Sequence, residues 1–242
     1  MDPSHYALDE NLADWHWWYV GRRHILNHLL YSLVSPDEKR KILEVGCSTG
    51  SNLNMLSQFG QVYGMEMNEA ALLVAQRKYP RFQLWEGAIP CDVRHHYDMI
   101  CLFDVLEHIE DDYGAVDWIA DHLCGGGRIV LSVPAFRILW SSHDTLAHHK
   151  RRYAKEKLLT LLERRFKIDT CCYFNSHLFP AILSARLIQR LFRLDGRRDK
   201  RAGGLPLLNS LLGKILMAET FWLPEHSWPF GVSLFASGIV KR

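Results

Sequence analysis

The stretch Leu43-Glu44-Val45-Gly46-Cys47-Ser48-Thr49-Gly50 joins an apolar run to what reads as the start of a helix. Glycines at such a junction let the backbone come close to a ligand, and the helix start offers free N–H groups. Glu66 follows Gly46 by 20 residues, at the end of the next apolar run. An acid there accepts hydrogen bonds from both hydroxyls of a ribose. Loop, spacing and acid together point to a nucleoside ligand far more sharply than the loop alone. Rival motifs fit less well. A dinucleotide loop of the form G-x-G-x-x-G wants glycine where Ser48 stands, and a P-loop wants lysine where Ser51 stands. Gly46 to Gly50 also spells G-x-S-x-G, but a nucleophile elbow normally follows several strands rather than the first.

Histidines supply the second set of candidates, because their charge changes near neutral pH. The chain has 13 of them. His108 follows Glu107 after an apolar run. It reads either as a general base or as a capping residue, with Glu107 facing solvent or an arginine. His143 and Asp144 form a pair that reads as substrate contact, base or loop-ordering bond. His149 and Arg152 either fix that same segment or bind an anionic acceptor. His143, Asp144, His148 and His149 have metal-ligand types. Clustered histidines in one loop are common without a metal, so none is expected.

These residues need elements to position them. Apolar runs at Lys41–Val45, Gln61–Met65, Phe82–Trp85, Asp98–Phe103 and Arg128–Val133 read as strands. Helical patterns at Asn52–Phe59, Asn68–Tyr79 and Tyr113–Leu123 alternate with them, with Asn68 as N-cap and Pro80 as stop. Gly125 to Gly127 turn the chain into the fifth run. Such alternation means βαβ crossovers and a parallel sheet. Ala135–Arg152 reads as a loop, Lys155–Arg165 as a helix and Lys167–Phe174 as a strand. His177–Leu194 and Leu205–Leu223 read as apolar helices joined by a charged linker, and Ser233–Val240 as a closing strand. Leu12–Leu33 reads as an aromatic helix, either a lid bringing Tyr19 or Arg22 to the site or a helix packing Trp15 and Trp18 on the sheet.

Composition narrows the partners. Lys and Arg total 29 against 27 Asp and Glu, which gives no reason to expect nucleic acid. Six cysteines in no ligand-like spacing read as reduced, buried thiols. The acidic and polar N-terminal residues show no signal sequence, and no apolar run reaches membrane-spanning length. A cytoplasmic protein is expected, monomeric or homodimeric. Arg186, Arg190, Arg193 and Arg197 recur at helical spacing, so the helices before the last strand form either a peripheral contact with the inner membrane or a cap on the core.

LEVGCSTG, GMEMN, LFDVLEHIED and GGGRIVLSVP resemble the successive motifs of class I S-adenosylmethionine-dependent methyltransferases. The subgroup they look most like includes ubiquinone-type and sugar- or lipid-linked enzymes. HWWYVGRR, SSHDTLAHHKRRY and PFGVSLFA add a less specific likeness. Ser48 departs from the family's usual glycine. The resemblance implies an α/β fold: a doubly wound, mostly parallel seven-stranded sheet, the last strand antiparallel, with a helical insertion before it. It divides the chain into an aromatic cap (1–40), a cofactor-binding domain (41–175), the insertion (176–231) and the final strand (232–242).

The resemblance also implies roles. Glu44, Gly46, Cys47, Ser48 and Gly50 would line the methionine end of S-adenosylmethionine. Glu66 would hold the ribose, Met67 the adenine face, and Gly87 and Ala88 the adenine edge. Phe103 and Asp104 would border the sulfonium. His108 and His143 are then the catalytic candidates, and His143, Asp144, His149 and Arg152 the substrate contacts. A small-molecule acceptor, methylated on oxygen or nitrogen, is expected. A nicotinamide-dependent oxidoreductase and a non-catalytic cofactor-binding protein are the alternatives.

Overall fold

The structure, a computed structural model, describes residues 12–93, 95–192 and 205–241. Arg193, Arg197 and the charged linker lie outside the described residues. β1 (Lys41–Val45), β2 (Gln61–Glu66), β3 (Gln83–Glu86), β4 (Tyr97–Phe103) and β5 (Leu123–Pro134) pair in parallel. β7 (Ser233–Val240) runs antiparallel to both β5 and β6 (Phe166–Phe174), giving a seven-stranded sheet in the order β3-β2-β1-β4-β5-β7-β6.

Alternation along the strands explains why both faces are covered. Leu43 and Val45 of β1 face one side, under Val116 and Ile119 of α4 (Asp112–Asp121) and Leu158 and Leu162 of α6 (Lys155–Leu162). Ile42 faces the other side. It packs with Ile25, Leu26, Leu29 and Leu30 of α1 (Trp17–Leu33), and with Leu53 and Leu56 of α2 (Leu53–Leu56). α3 (Glu69–Lys78) starts as its sequence dictates, with the Asn68 side chain accepting from Ala71 N–H at 3.0 Å. From β1 the chain winds outward to β2 and β3, then returns to pair β4 on β1's other side. The ends of β1 and β4 are therefore the switch point, where open α/β sheets bind ligands.

The structure departs from the sequence expectations in places. The helix expected at Asn52–Phe59 covers only Leu53–Leu56, because beyond it Gln58 and Phe59 N–H donate three residues back, to Met55 O and Leu56 O, and tighten the chain into turns. Gly125–Gly127 does not precede the fifth strand. It bulges within β5, whose pairing with β4 jumps from Tyr97↔Leu123 to Met99↔Arg128. The expected loop Ala135–Arg152 contains α5 (Ser142–Leu146), which starts with a capping box of Ser141 and Asp144. The insertion carries α7 (Phe179–Leu191) and α8 (Pro206–Met217). α1 packs on the sheet, with Trp18 stacked on Phe174 at 6.4 Å, while Trp15 stays largely exposed.

Candidate active site

β1 delivers Glu44 to the sheet face covered by α1, and Glu44 is 1% exposed. Its Oε1 accepts from Asn52 Nδ2 at 2.7 Å, while Oε2 has no hydrogen-bond partner. Burial pushes its pKa up to about 8, against the lowering pull of Asn52 and Arg22. Beyond β1 the chain turns sharply. Gly46 adopts φ 69°, and a Cβ there would stand 2.6 Å from a Val105 methyl. Both Gly46 N–H and Cys47 N–H donate to Met65 O, which fixes the loop across the ends of β1 and β2.

Glu66 closes this loop from β2. One of its oxygens accepts from Ser48 N–H and the other from Asn68 N–H, each at 2.8 Å. Each keeps a further lone pair for a ligand hydroxyl. Burial raises its pKa, against the backbone donors that favour the carboxylate. Met67 beyond it is 71% exposed, Gly87 N–H donates to Glu66 O, and Ala88 is exposed.

At the end of β4, Asp104 adopts φ 57° and meets Arg22 of α1, Oδ2 to Nη2 at 2.6 Å. Arg22 is buried, stands 5.9 Å from the centre of the Phe103 ring, and reaches Ser132 Oγ at 3.4 Å. Its Nε is buried and has no partner. The sequence foresaw Arg22 at the site only as part of a lid. Its place in the packed face of α1 makes it a fixed wall.

Further round the strand ends, Asp144 is fully buried. It accepts from Ser141 N–H and Oγ, from His149 Nδ1 at 2.9 Å, and from Arg152 Nε at 2.7 Å and Nη2 at 3.1 Å. Burial pushes its pKa up, but these donors win and hold the carboxyl far below its usual range. Arg152 also donates to Ala135 O at 3.0 Å. These bonds tie Ser141, His149 and Arg152 to one carboxylate. His143 is exposed on α5, its ring 6.2 Å from that of His149.

His108 lies in a 3-10 turn (Leu106–His108) after β4, its ring 4.6 Å from that of His149. Burial lowers its pKa to about 4, so the imidazole is neutral at pH 7. Glu107 corrects the sequence reading: it faces neither solvent nor a bonded arginine. It is fully buried, and neither carboxylate oxygen has a hydrogen-bond partner. Burial, then the Asp104 charge, pushes its pKa well up. Asn52 and Ser132 are the residues missed from sequence, and Glu107 was misplaced there. Asn52 bonds Glu44 from the next element, and the surroundings of Glu107 come from distant loops, so neither arrangement shows in local sequence.

Comparison with known proteins adds three findings. A family model described as a methyltransferase domain matches residues 15–186. Among curated relatives, a Shewanella ubiquinone biosynthesis O-methyltransferase is 25% identical, over 54% of this chain and 62% of its own. A Mycobacterium tuberculosis protein named as an S-adenosylmethionine-dependent methyltransferase is 28% identical, over 60% of this chain and 54% of its own. The chain thus spans little more than half the length of these relatives. Among solved structures, one from the Haloferax volcanii complex of the Trm112 methyltransferase activator superposes with TM-score 0.64 at 16% identity, covering 99% of this chain and 95% of that one. The Bradyrhizobium japonicum N-methyltransferase NodS, solved with S-adenosyl-L-homocysteine, gives 0.52 at 18%, covering 70% and 89%. At these identities the likeness to solved structures establishes the fold.

Proposed function

The chain belongs to the methyltransferase-domain family, and we propose that it transfers the methyl group of S-adenosylmethionine to a small-molecule acceptor. The observation that carries this reading is unspent polar valence at the switch point. Glu44 Oε2 and Arg22 Nε are buried without partners. The methionine end of the cofactor bears an ammonium and a carboxylate, and these two groups suit that pair. Gly46 keeps the space that a Cβ would contest with Val105. The residues present therefore fit the cofactor.

Glu66 would accept the ribose hydroxyls on lone pairs its backbone donors leave free. Exposed Met67 offers a polarisable face for adenine, and Gly87 and Ala88 leave room at its edge. Cys47, Ser48 and Gly50 complete the wall, and Phe103 and Asp104 border the reacting end. The cofactor supplies an activated methyl group on a sulfonium. The protein's task is then mostly alignment, worth up to roughly 7–11 kcal/mol in ideal cases.

An acceptor hydroxyl must also lose its proton, which is worth roughly 10²–10⁴ in rate. Neutral His108 and exposed His143 are the bases offered, with His149 and Arg152 shaping the acceptor side. Phe136, held at φ 51° just after β5, stacks on Tyr173 at 5.0 Å and meets Phe179 at 5.9 Å. Phe179 in turn packs on Phe230. This aromatic group at the strand ends supports an apolar or ring-bearing acceptor. Exposed Leu187, Ile188 and Leu191 on α7 and Leu207 and Leu211 on α8 support one presented with a lipid tail, peripherally to a membrane. No described helix is long and apolar enough to cross a membrane.

Calorimetric titration with S-adenosylmethionine and S-adenosylhomocysteine tests the reading. Micromolar binding is expected, weakened tenfold or more by Glu66→Ala, about 1.4 kcal/mol. Folded wild-type protein that takes up neither ligand would sink it.

A further inference from the structure

The proposed transfer leaves Glu107 unexplained. Its carboxyl group is sealed from solvent, and both oxygens lack a hydrogen-bond donor. Burying such a group without a partner costs several kcal/mol in the charged form, so buried carboxylates are normally paired or bound to metals. Arg22 and Arg152, though near enough to be felt, spend their bonds on Asp104 and Asp144.

Two imidazoles stand at the same place. One ligating atom from each of Glu107, His108 and His149 lies within 4.8 Å of the other two. His149 Nε2 is 4.0 Å from Glu107 Oε1. Its other ring nitrogen, Nδ1, bonds Asp144 Oδ1 at 2.9 Å. A carboxylate accepting there makes Nδ1 the protonated nitrogen and leaves the Nε2 lone pair directed away from Asp144. Metal-binding histidines are normally oriented in this way. Lys150 N–H donates to Glu107 O at 2.8 Å, so the turn after β4 and the segment after α5 are bonded together independently of any ion.

We propose that Glu107, His108 and His149 form a binding site for a divalent first-row transition-metal ion, with Asp144 orienting His149. Two imidazoles and one carboxylate are a donor set that zinc, manganese, iron and cobalt accept. Side-chain shifts under about 1 Å would bring the donors to the roughly 2.0–2.2 Å of such bonds. The ligands come from two loops, Glu107 and His108 from one and His149 from the other, and Asp104 stands three residues before Glu107. The ion would lie beside the reacting end of the cofactor, on the acceptor side. A cation there binds a hydroxyl or carbonyl oxygen of the acceptor and lowers a hydroxyl's pKa. His143, not His108, then remains as proton acceptor.

This inference rests on the methyltransferase reading for its role but not for its test. Chelator-treated full-length protein would be titrated calorimetrically with Zn²⁺ and with Mn²⁺, and loaded with Co²⁺ to read its visible absorption. One ion per chain is expected. Glu107→Gln and His149→Ala should each weaken binding at least tenfold and abolish the cobalt band. Thermal denaturation would show that both variants remain folded. S-adenosylmethionine affinity measured on the same samples tests the cofactor site separately: its loss in wild type would overturn the methyltransferase reading and leave the ion site standing. Absence of stoichiometric binding by the wild type, or binding that Glu107→Gln and His149→Ala leave unchanged, would overturn the proposal. The partner of Glu107 would then be a proton.

Discussion

Ser48 and Gly46 occupy the same turn and both have positive φ, 49° and 69°. Only glycine takes that region without strain; for other residues it costs roughly 1–2 kcal/mol. Ser48 tolerates it because its N–H gains a carboxylate acceptor in Glu66. Gly46 has no such slack, with Val105 already against its α-carbon. Gly46→Ala should therefore lower the free energy of unfolding by about 2 kcal/mol or more in urea titrations. Ser48→Gly should leave it within about 1 kcal/mol. Equal losses for the two would mean that the loop relaxes freely. Arg22→Met asks a related question at the half-buried ion pair. It leaves Asp104, 29% exposed and still accepting from Ser132 Oγ, without its cation, and should cost about 2 kcal/mol. It should also weaken S-adenosylmethionine binding more than tenfold, whereas a purely structural Arg22 would leave affinity unchanged. The glycine loop and Glu66 were legible because each is local: a turn, a spacing, a strand end. The meeting of Arg22 with Asp104 was not, because the two lie on different elements and only packing brings them together.

At the scale of elements, the best-read segments were β1 and β7, whose ends fall where the apolar runs begin and stop. α5 was misread although its start signal was present. Ser141 and Asp144 have capping-box spacing, but a five-residue helix lacks the repeating apolar face that announces longer ones. How α1 and α8 fit together was not legible at all. They are joined by Trp17 N–H donating to Asn209 Oδ1 at 2.8 Å and by the close approach of Gly21 to Leu216. A Cβ on Gly21 would stand 2.7 Å from Leu216 Cδ2. The cap and the insertion, at opposite ends of the sequence, thus pack along one seam, and α1 also carries Arg22. Gly21→Val should overpack that contact and cost about 1–3 kcal/mol. Adding Leu216→Ala should recover part of the loss, a coupling that a double-mutant cycle would read. Additive losses would show that the two helices do not bear on each other there.

Over the whole molecule, non-glycine residues with φ near 50° recur just past the strand ends: Ser48 after β1, Asp104 after β4, Phe136 after β5 and Asn175 after β6. Strain placed there is held by the rest of the fold and marks the functional edge. Buried carboxyls gather at the same edge, where Glu44 and Glu66 have pKa values raised by burial. A carboxyl whose folded pKa lies above its unfolded value keeps a proton that the unfolded chain has already released. Stability then falls as pH rises between the two values. For Glu44 that window runs from 4.5 to about 8. The loss is at most about 5 kcal/mol, and less if water enters. The ligand-free protein should therefore be more stable at pH 5.5 than at pH 8, and Glu44→Gln should flatten that slope. A cofactor ammonium beside Glu44 would favour the carboxylate and reverse the balance. Binding S-adenosylmethionine at pH 7 should then release a proton, seen as a calorimetric enthalpy that varies with buffer ionisation enthalpy in the wild type but not in Glu44→Gln. A wild-type enthalpy independent of buffer would mean that Glu44 is already charged, or that the ammonium lies elsewhere.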